Sequence, residues 1–199
     1  MILTVALTGA VWAQTFEGGS IESGKINGNV FDGRSDFIEG WNVDGPFDGS
    51  WYYAADCQGL AYTPSQSYWL DRIEFMAGEV AGTAVIELHA EDGSGFPTGE
   101  LLSIGSYEQS ATLGWQGADM VPCVSLVPGV TYYINWRPVI GGPSSFATGG
   151  VVIPNSWAFD CVTWEGPGAS HYWMVKFFGG TAPSGTEAST WSCVKALYR

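Results

Sequence analysis

SYWLDRIEFMAG at residues 67–78, TAVIELHAEDGSGFPTGELL at 83–102, GWQGADMVPCVSLVPG at 114–129 and TYYINWRP at 131–138 decide the fold. In each segment a short apolar run is bounded by Gly, Pro, Asp or Ser, and the breaks fall at short, even intervals. That spacing predicts antiparallel strands joined by tight turns, in an all-β, two-sheet sandwich. The alternation is clearest in 83–90. Ala84, Ile86, Leu88 and Ala90 share one parity, while Thr83, Val85, Glu87 and His89 share the other. Strand side chains alternate with period two, so the first set is expected to face the core and the second to face outward. Residues 131–137 repeat the pattern, with Tyr132, Ile134 and Trp136 set against Tyr133, Asn135 and Arg137. The segment 171–178 is apolar on both parities and reads as one central, covered strand. Pro122, inside the apolar run 120–126, predicts an edge or a bulge there.

Outward from this centre, Glu91–Gly99 carries the turn chemistry of a hairpin loop, with Gly at positions that need positive φ and Pro97 presetting φ. Residues 139–150 read as a Gly/Ser loop and 180–189 as a linker. Residues 190–199 place Trp191, Val194 and Leu197 every third position behind Ser189 or Thr190, the pattern of a short C-terminal helix. The Gly- and Asp-rich stretch 14–50 reads as an N-terminal arm with short edge strands, and the sandwich body is expected over 51–179. Residues 1–13 are apolar and end Val11-Trp-Ala13 before Gln14, which resembles a secretory signal peptide. No basic residue precedes that run, so the sequence leaves open whether Met1 is the true start.

Composition narrows the partners. The 199 residues carry 7 Lys and Arg against 20 Asp and Glu, a formal net charge of −13. So few cations cannot track a phosphate backbone or an anionic bilayer, which argues against nucleic acid and membrane surfaces. No apolar run is long enough for a transmembrane helix. Cys57, Cys123, Cys161 and Cys193 make an even count in a chain read as secreted or cell-surface, so disulfides are expected. At least one bridge is expected within Cys57, Cys123 and Cys161, with Cys193 the candidate for a free or intermolecular thiol. No CxxC or His-rich spacing marks a zinc site. The Asn27–Asp36 stretch and Glu91-Asp92-Gly93-Ser94 are rich in oxygen ligands for a structural calcium, but they lack EF-hand spacing, and plain Asx turns are the preferred reading. No resident cofactor is expected.

The order of features in 68–138 resembles a class of jelly-roll-like β-sandwich modules found in secreted and surface proteins of bacteria. The matching residues are Tyr68, Leu70–Phe75, Gly95–Gly99, Leu101, Leu102, Leu126, Pro128, Gly129, Tyr132 or Tyr133, and Ile134. The closing TWSCVKALYR at 190–199 is similar to short stretches near domain ends in such proteins. The resemblance implies a non-catalytic module of the carbohydrate-binding type and supplies no catalytic residues.

The chemistry-bearing residues agree with that expectation. No GxSxG, P-loop or marked carboxylate pair occurs, and the sequence contains only two histidines, His89 and His171. His89, Tyr133, Asn135 and Arg137 are the residue types a jelly-roll polysaccharide lyase uses, and this is the one enzyme reading retained. The ten Trp and nine Tyr favour stacking on sugar faces. The expected ligand site joins Glu87, His89, Tyr133, Asn135 and Arg137 with a flanking ring from Trp164, provided that 83–90 and 131–137 are neighbours in one sheet. Tyr133 would stack, Asn135 and Arg137 would donate to hydroxyls, and Glu87 would accept. Expected partners are an extracellular polysaccharide or other surface proteins. The alternative is a self-associating structural subunit of a surface or extracellular fibre.

Overall fold

A computed structural model describes residues 36–44, 47–52, 57–140, 144–148, 152–158, 160–171 and 173–180. The expected signal segment, most of the N-terminal arm, the linker, the terminal helix and Cys193 lie outside them. The described strands are β1 (Asp36–Trp41), β2 (Phe47–Tyr52), β3 (Cys57–Tyr62), β4 (Tyr68–Gly78), β5 (Gly82–Ala90), β6 (Leu101–Gln109), β7 (Gly114–Leu126), β8 (Tyr132–Ile140), β9 (Ser144–Thr148), β10 (Ile153–Ala158), β11 (Glu165–His171) and β12 (Val175–Gly180). Among the described residues there is no helix, and so none long and apolar enough to cross a membrane.

All pairings are antiparallel, and the hydrogen-bonded path is continuous in the order β1-β12-β4-β7-β6-β5-β8-β3-β10-β11. β2 pairs with β9, and β9 also meets the end of β4. The described strands therefore form one curled twelve-stranded sheet where two separate sheets were expected. The join explains the difference. Along β7, Asp119 pairs with Arg72 and Val124 pairs with Leu70, so residues 120–123 bulge away from β4. Within that bulge Val121 pairs with Ile104 of β6, and Ser103 Oγ donates to the Pro122 carbonyl at 2.6 Å. Pro122 has no N–H for a ladder, so it falls in the bulge where the strand is detached from β4, as its sequence context predicted. Gly105 is required opposite, because a Cβ there would stand 2.4 Å from the Asp119 carbonyl oxygen.

The curl brings the two halves of the sheet face to face over one core. Ala84, Ile86, Leu88, Ile134 and Trp136 are fully buried on one side, against Ile73, Phe75, Val175 and Phe177 on the other. Rings bridge the halves: Tyr62 stacks on Phe177 at 4.0 Å between centroids, and Phe75 meets Trp136 at 6.5 Å. The inward parity of 83–90 and 131–137 is thus as the alternation predicted. β1 also joins this core through Ile38 and Trp41, so the body extends N-terminal of Trp51. Its position is pinned by Glu39, whose carboxylate accepts from Tyr62 Oη and Ser65 Oγ, each at 2.5 Å.

Two expectations are corrected. The apolar stretch 171–178 is not one strand. His171 ends β11 at one end of the path, and Val175 opens β12 between β1 and β4. Apolar parity marks burial here, and Trp173 and Met174 are both buried, yet it does not mark continuity. Residues 139–150 also contain a strand, β9, although their Gly/Ser content reads as loop.

Candidate functional site

Neighbouring strands bring the expected site together. β5 and β8 pair with Val85 opposite Arg137, Glu87 opposite Asn135 and His89 opposite Tyr133. Because register and parity both agree, Glu87, His89, Tyr133, Asn135 and Arg137 stand on the side of the sheet away from the core. Beyond β8, Asn135 pairs with Gly59 of β3, and Gly59 pairs with Ser156 of β10. Gly59 is the low point of this face. A Cβ there would lie 3.0 Å from Trp164 Cζ3, 2.9 Å from Pro97 Cδ and 2.4 Å from Ser156 Oγ. Trp164 therefore stands beside these residues, and it shares the position over Gly59 with Pro97 of the 91–99 loop.

Glu87 is the hub. Its Oε2 accepts from Asn135 Nδ2 at 2.7 Å, and its Oε1 accepts from Arg137 Nη2 at 3.0 Å. His89 Nε2 lies 3.4 Å from Oε2. These interactions hold the Glu87 carboxyl at about 2, well below the ordinary carboxylate value. The hydrogen bond to His89 has the largest single effect. Burial opposes the shift, and Arg137 and the Asn135 amide reinforce it. For His89 burial works against protonation, but the contacts to Glu87 and to the Gly99 carbonyl, with the charges of Glu87 and Asp92, outweigh it and raise the pKa. Burial, with Glu91 and Asp92 nearby, raises the Tyr133 phenol.

This face is less open than its parity implies. Asn135 is 3% exposed and Tyr133 8%, against an expectation of outward-facing groups. The cover is the 91–99 loop, whose Pro97 is buried, together with Trp164. The loop is braced internally: Asp92 accepts from the Ser94 amide at 2.9 Å and from Thr98 Oγ1 at 2.7 Å. That is the Asx-turn reading of Glu91–Ser94. Among the described residues no group of three or more His, Cys, Asp or Glu side chains is placed to hold a metal. One polar atom in the face is unmatched: Asn135 Oδ1 is buried with no hydrogen-bond partner among the described residues. Its amide donates to Glu87, so the carbonyl oxygen is the atom left over.

Trp164 is carried by a second braced loop. Asp160 accepts from the amides of Thr163 and Val162 and from Thr163 Oγ1, and Cys161 is bonded to Cys57 at the start of β3. That disulfide ties the loop to the strand containing Gly59 and fulfils the expectation of a bridge within Cys57, Cys123 and Cys161. Cys123 is disulfide-bonded as well.

The opposite half of the sheet holds groups outside the expected site. Lys176 Nζ lies 4.0 Å from the centroid of the Trp115 ring, and Arg72 bridges Glu74 and Asp119 at 2.8 and 2.7 Å. Phe37, 48% exposed, packs edge-on against Phe178. These residues come from four strands, β1, β4, β7 and β12, and no local motif links them. No family model and no curated protein matches this chain.

Proposed function

We propose that this protein is a non-catalytic module of secreted or cell-surface location that binds extracellular polysaccharide through the β5–β8–β3 face beside Trp164. The observation that carries the reading is Asn135 Oδ1, a buried acceptor without a partner among the described residues, at the centre of a polar cluster. A buried acceptor left unmade costs about 1–3 kcal/mol, and a ligand hydroxyl recovers it. Trp164 and Tyr133 supply rings for sugar C–H faces, and Arg137 supplies donors. The acidic chain suits a neutral or cationic glycan. The Cys57–Cys161 bridge supports an oxidising location. In this reading the curled sheet is the jelly-roll-like scaffold that the sequence resembles, with no cofactor.

The chemistry favours binding over a lyase. A general base needs a free lone pair and a pKa near the working pH. Glu87 is engaged by three donors and held at about 2, and His89 is committed between two acceptors. The structural-subunit alternative draws support from the burial of the same face, since a closed polar network serves a scaffold as well as a binder.

The deciding experiment is a glycan-array and polysaccharide pull-down screen, repeated with Tyr133→Ala and Arg137→Ala. Each substitution is expected to weaken a retained glycan, by about 0.5–1.5 kcal/mol for loss of stacking at Tyr133. Unchanged binding by folded variants removes this site, and retention of no glycan by the wild-type chain leaves the structural subunit.

A further inference from the structure

His89 is placed so that both ring nitrogens face acceptors. Nδ1 lies 3.0 Å from the Gly99 carbonyl oxygen, and Nε2 lies 3.4 Å from Glu87 Oε2. A neutral imidazole carries one N–H and one lone pair, so it can satisfy only one of these contacts. The other becomes an oxygen facing a lone pair. Only the imidazolium donates in both directions.

The two acceptors belong to different bodies. Glu87 is fixed in the sheet by Asn135 and Arg137. Gly99 ends the 91–99 loop, which is cross-braced by Asp92, Ser94 and Thr98 and rests through Pro97 on Gly59. Near the base of the loop, the Ala90 amide donates to the Glu100 carbonyl at 2.9 Å. We propose that His89 is a proton-dependent latch that holds the 91–99 loop down over the β5–β8–β3 face and releases it when the imidazole becomes neutral.

The direction follows from acceptor strength. A carboxylate is a stronger acceptor than a carbonyl, and Glu87 is held toward the sheet by Asn135 and Arg137, so the remaining proton stays on Nε2. The Nδ1 lone pair then opposes the Gly99 carbonyl, and the loop carries the strain. The charges that act directly on His89 are both anionic. Glu87 on its own strand and Asp92 on the loop favour the cation. Arg137 on β8 reaches His89 only through Glu87, and Tyr133, its partner across β8, stays protonated because burial, Glu91 and Asp92 raise its pKa. On β6 the register partner is Leu101, which does not titrate. The stability from His89 is therefore complete below the ordinary histidine pKa and is lost as the pH rises through its raised folded value.

The test is solution NMR on the whole chain, without any glycan, so it stands apart from the binding proposal. The probes are the Pro97 Hδ to Gly59 Hα cross-relaxation signal and the His89 Cε1 chemical shift, followed from about pH 5 to about pH 9. The contact is expected to weaken several-fold along the same titration curve as His89. In His89→Gln the signal is expected to lose its pH dependence. A wild-type contact that stays constant through the His89 titration overturns the latch, and so does a folded His89→Gln protein that keeps the wild-type pH response. If His89→Gln does not fold, the wild-type titration alone decides.

Discussion

Replacing Glu87 by Gln should destabilise the protein most between about pH 4.5 and pH 6.5, and by a magnitude the site itself sets. The substitution keeps shape and removes charge. It leaves Arg137 and the His89 cation facing a neutral amide, and one amide nitrogen now opposes a donor where the carboxylate had two accepting oxygens. The carboxyl titrates at about 2 in the fold against an ordinary 4.5, for the reasons given above. At about 1.4 kcal/mol per pH unit, that difference is worth at most about 3 kcal/mol. Solvent screens the pair, because the Glu87 side chain keeps 15% exposure and Arg137 33%. The expected loss is therefore about 1–2 kcal/mol. The sign is fixed by linkage. A depressed acid contributes fully above its unfolded pKa, and its contribution disappears as the pH falls from about 4.5 toward 2. The raised pKa of His89 adds stability that disappears on the alkaline side. Wild type should thus show a plateau between the two limbs, and Glu87→Gln a lower and flatter profile. Asp92, held at about 2 by Ser94 and Thr98, and Asp160, held at about 2 by Thr163 and Val162, remain in both proteins. Only the difference between the two profiles reports Glu87. Urea denaturation followed by Trp fluorescence across this range measures it. A Glu87→Gln protein within about 0.5 kcal/mol of wild type at every pH refutes the claim that this network supports the fold.

The core makes an independent prediction: truncating Ile86 or Leu88, both fully buried, to Ala should cost about 2–5 kcal/mol in urea, and a loss below about 0.5 kcal/mol contradicts the packing. The Cys57–Cys161 bridge spans 104 residues, so removing it by Cys57→Ser with Cys161→Ser should lower stability by about 2–5 kcal/mol; a double variant as stable as wild type would show that the loop is held without it. At Gly59 an added methyl meets Ser156, Pro97 and Trp164 within 3.0 Å. Gly59→Ala should cost about 1–3 kcal/mol through overpacking and shift Trp164 fluorescence, and an unchanged spectrum with unchanged stability would mean that the two loops do not meet there.

How much of this was legible in the sequence varies by element. Period-two alternation identified the buried face at Ile86, Leu88, Ile134 and Trp136, because a strand can satisfy that pattern only by turning one parity inward. The same logic placed Glu87, His89, Tyr133, Asn135 and Arg137 on a common face once β5 and β8 were neighbours. Turn chemistry located the 91–99 loop, and Pro122 marked its bulge because a missing N–H is a local fact. The continuous apolar run at 171–178 misled, since burial by a strand and burial by a bend look alike to periodicity.

Sequence alone therefore determined the all-β character of the described residues, their inward parity, their turns and the residue types of the candidate site. Tertiary structure decided the rest, because each remaining feature depends on contacts between segments far apart in the chain. The bulge at residues 120–123, where β7 leaves β4 locally and pairs with β6, makes one curled sheet of what reads as two. The 91–99 loop and Trp164 converge on Gly59 and bury a face whose sequence reads as exposed. Pairing of Cys57 with Cys161, out of the three connectivities that four cysteines allow, follows from the approach of the 160–164 loop to β3. Alternation fixes which way a side chain points from its own strand, and only packing fixes what it meets there.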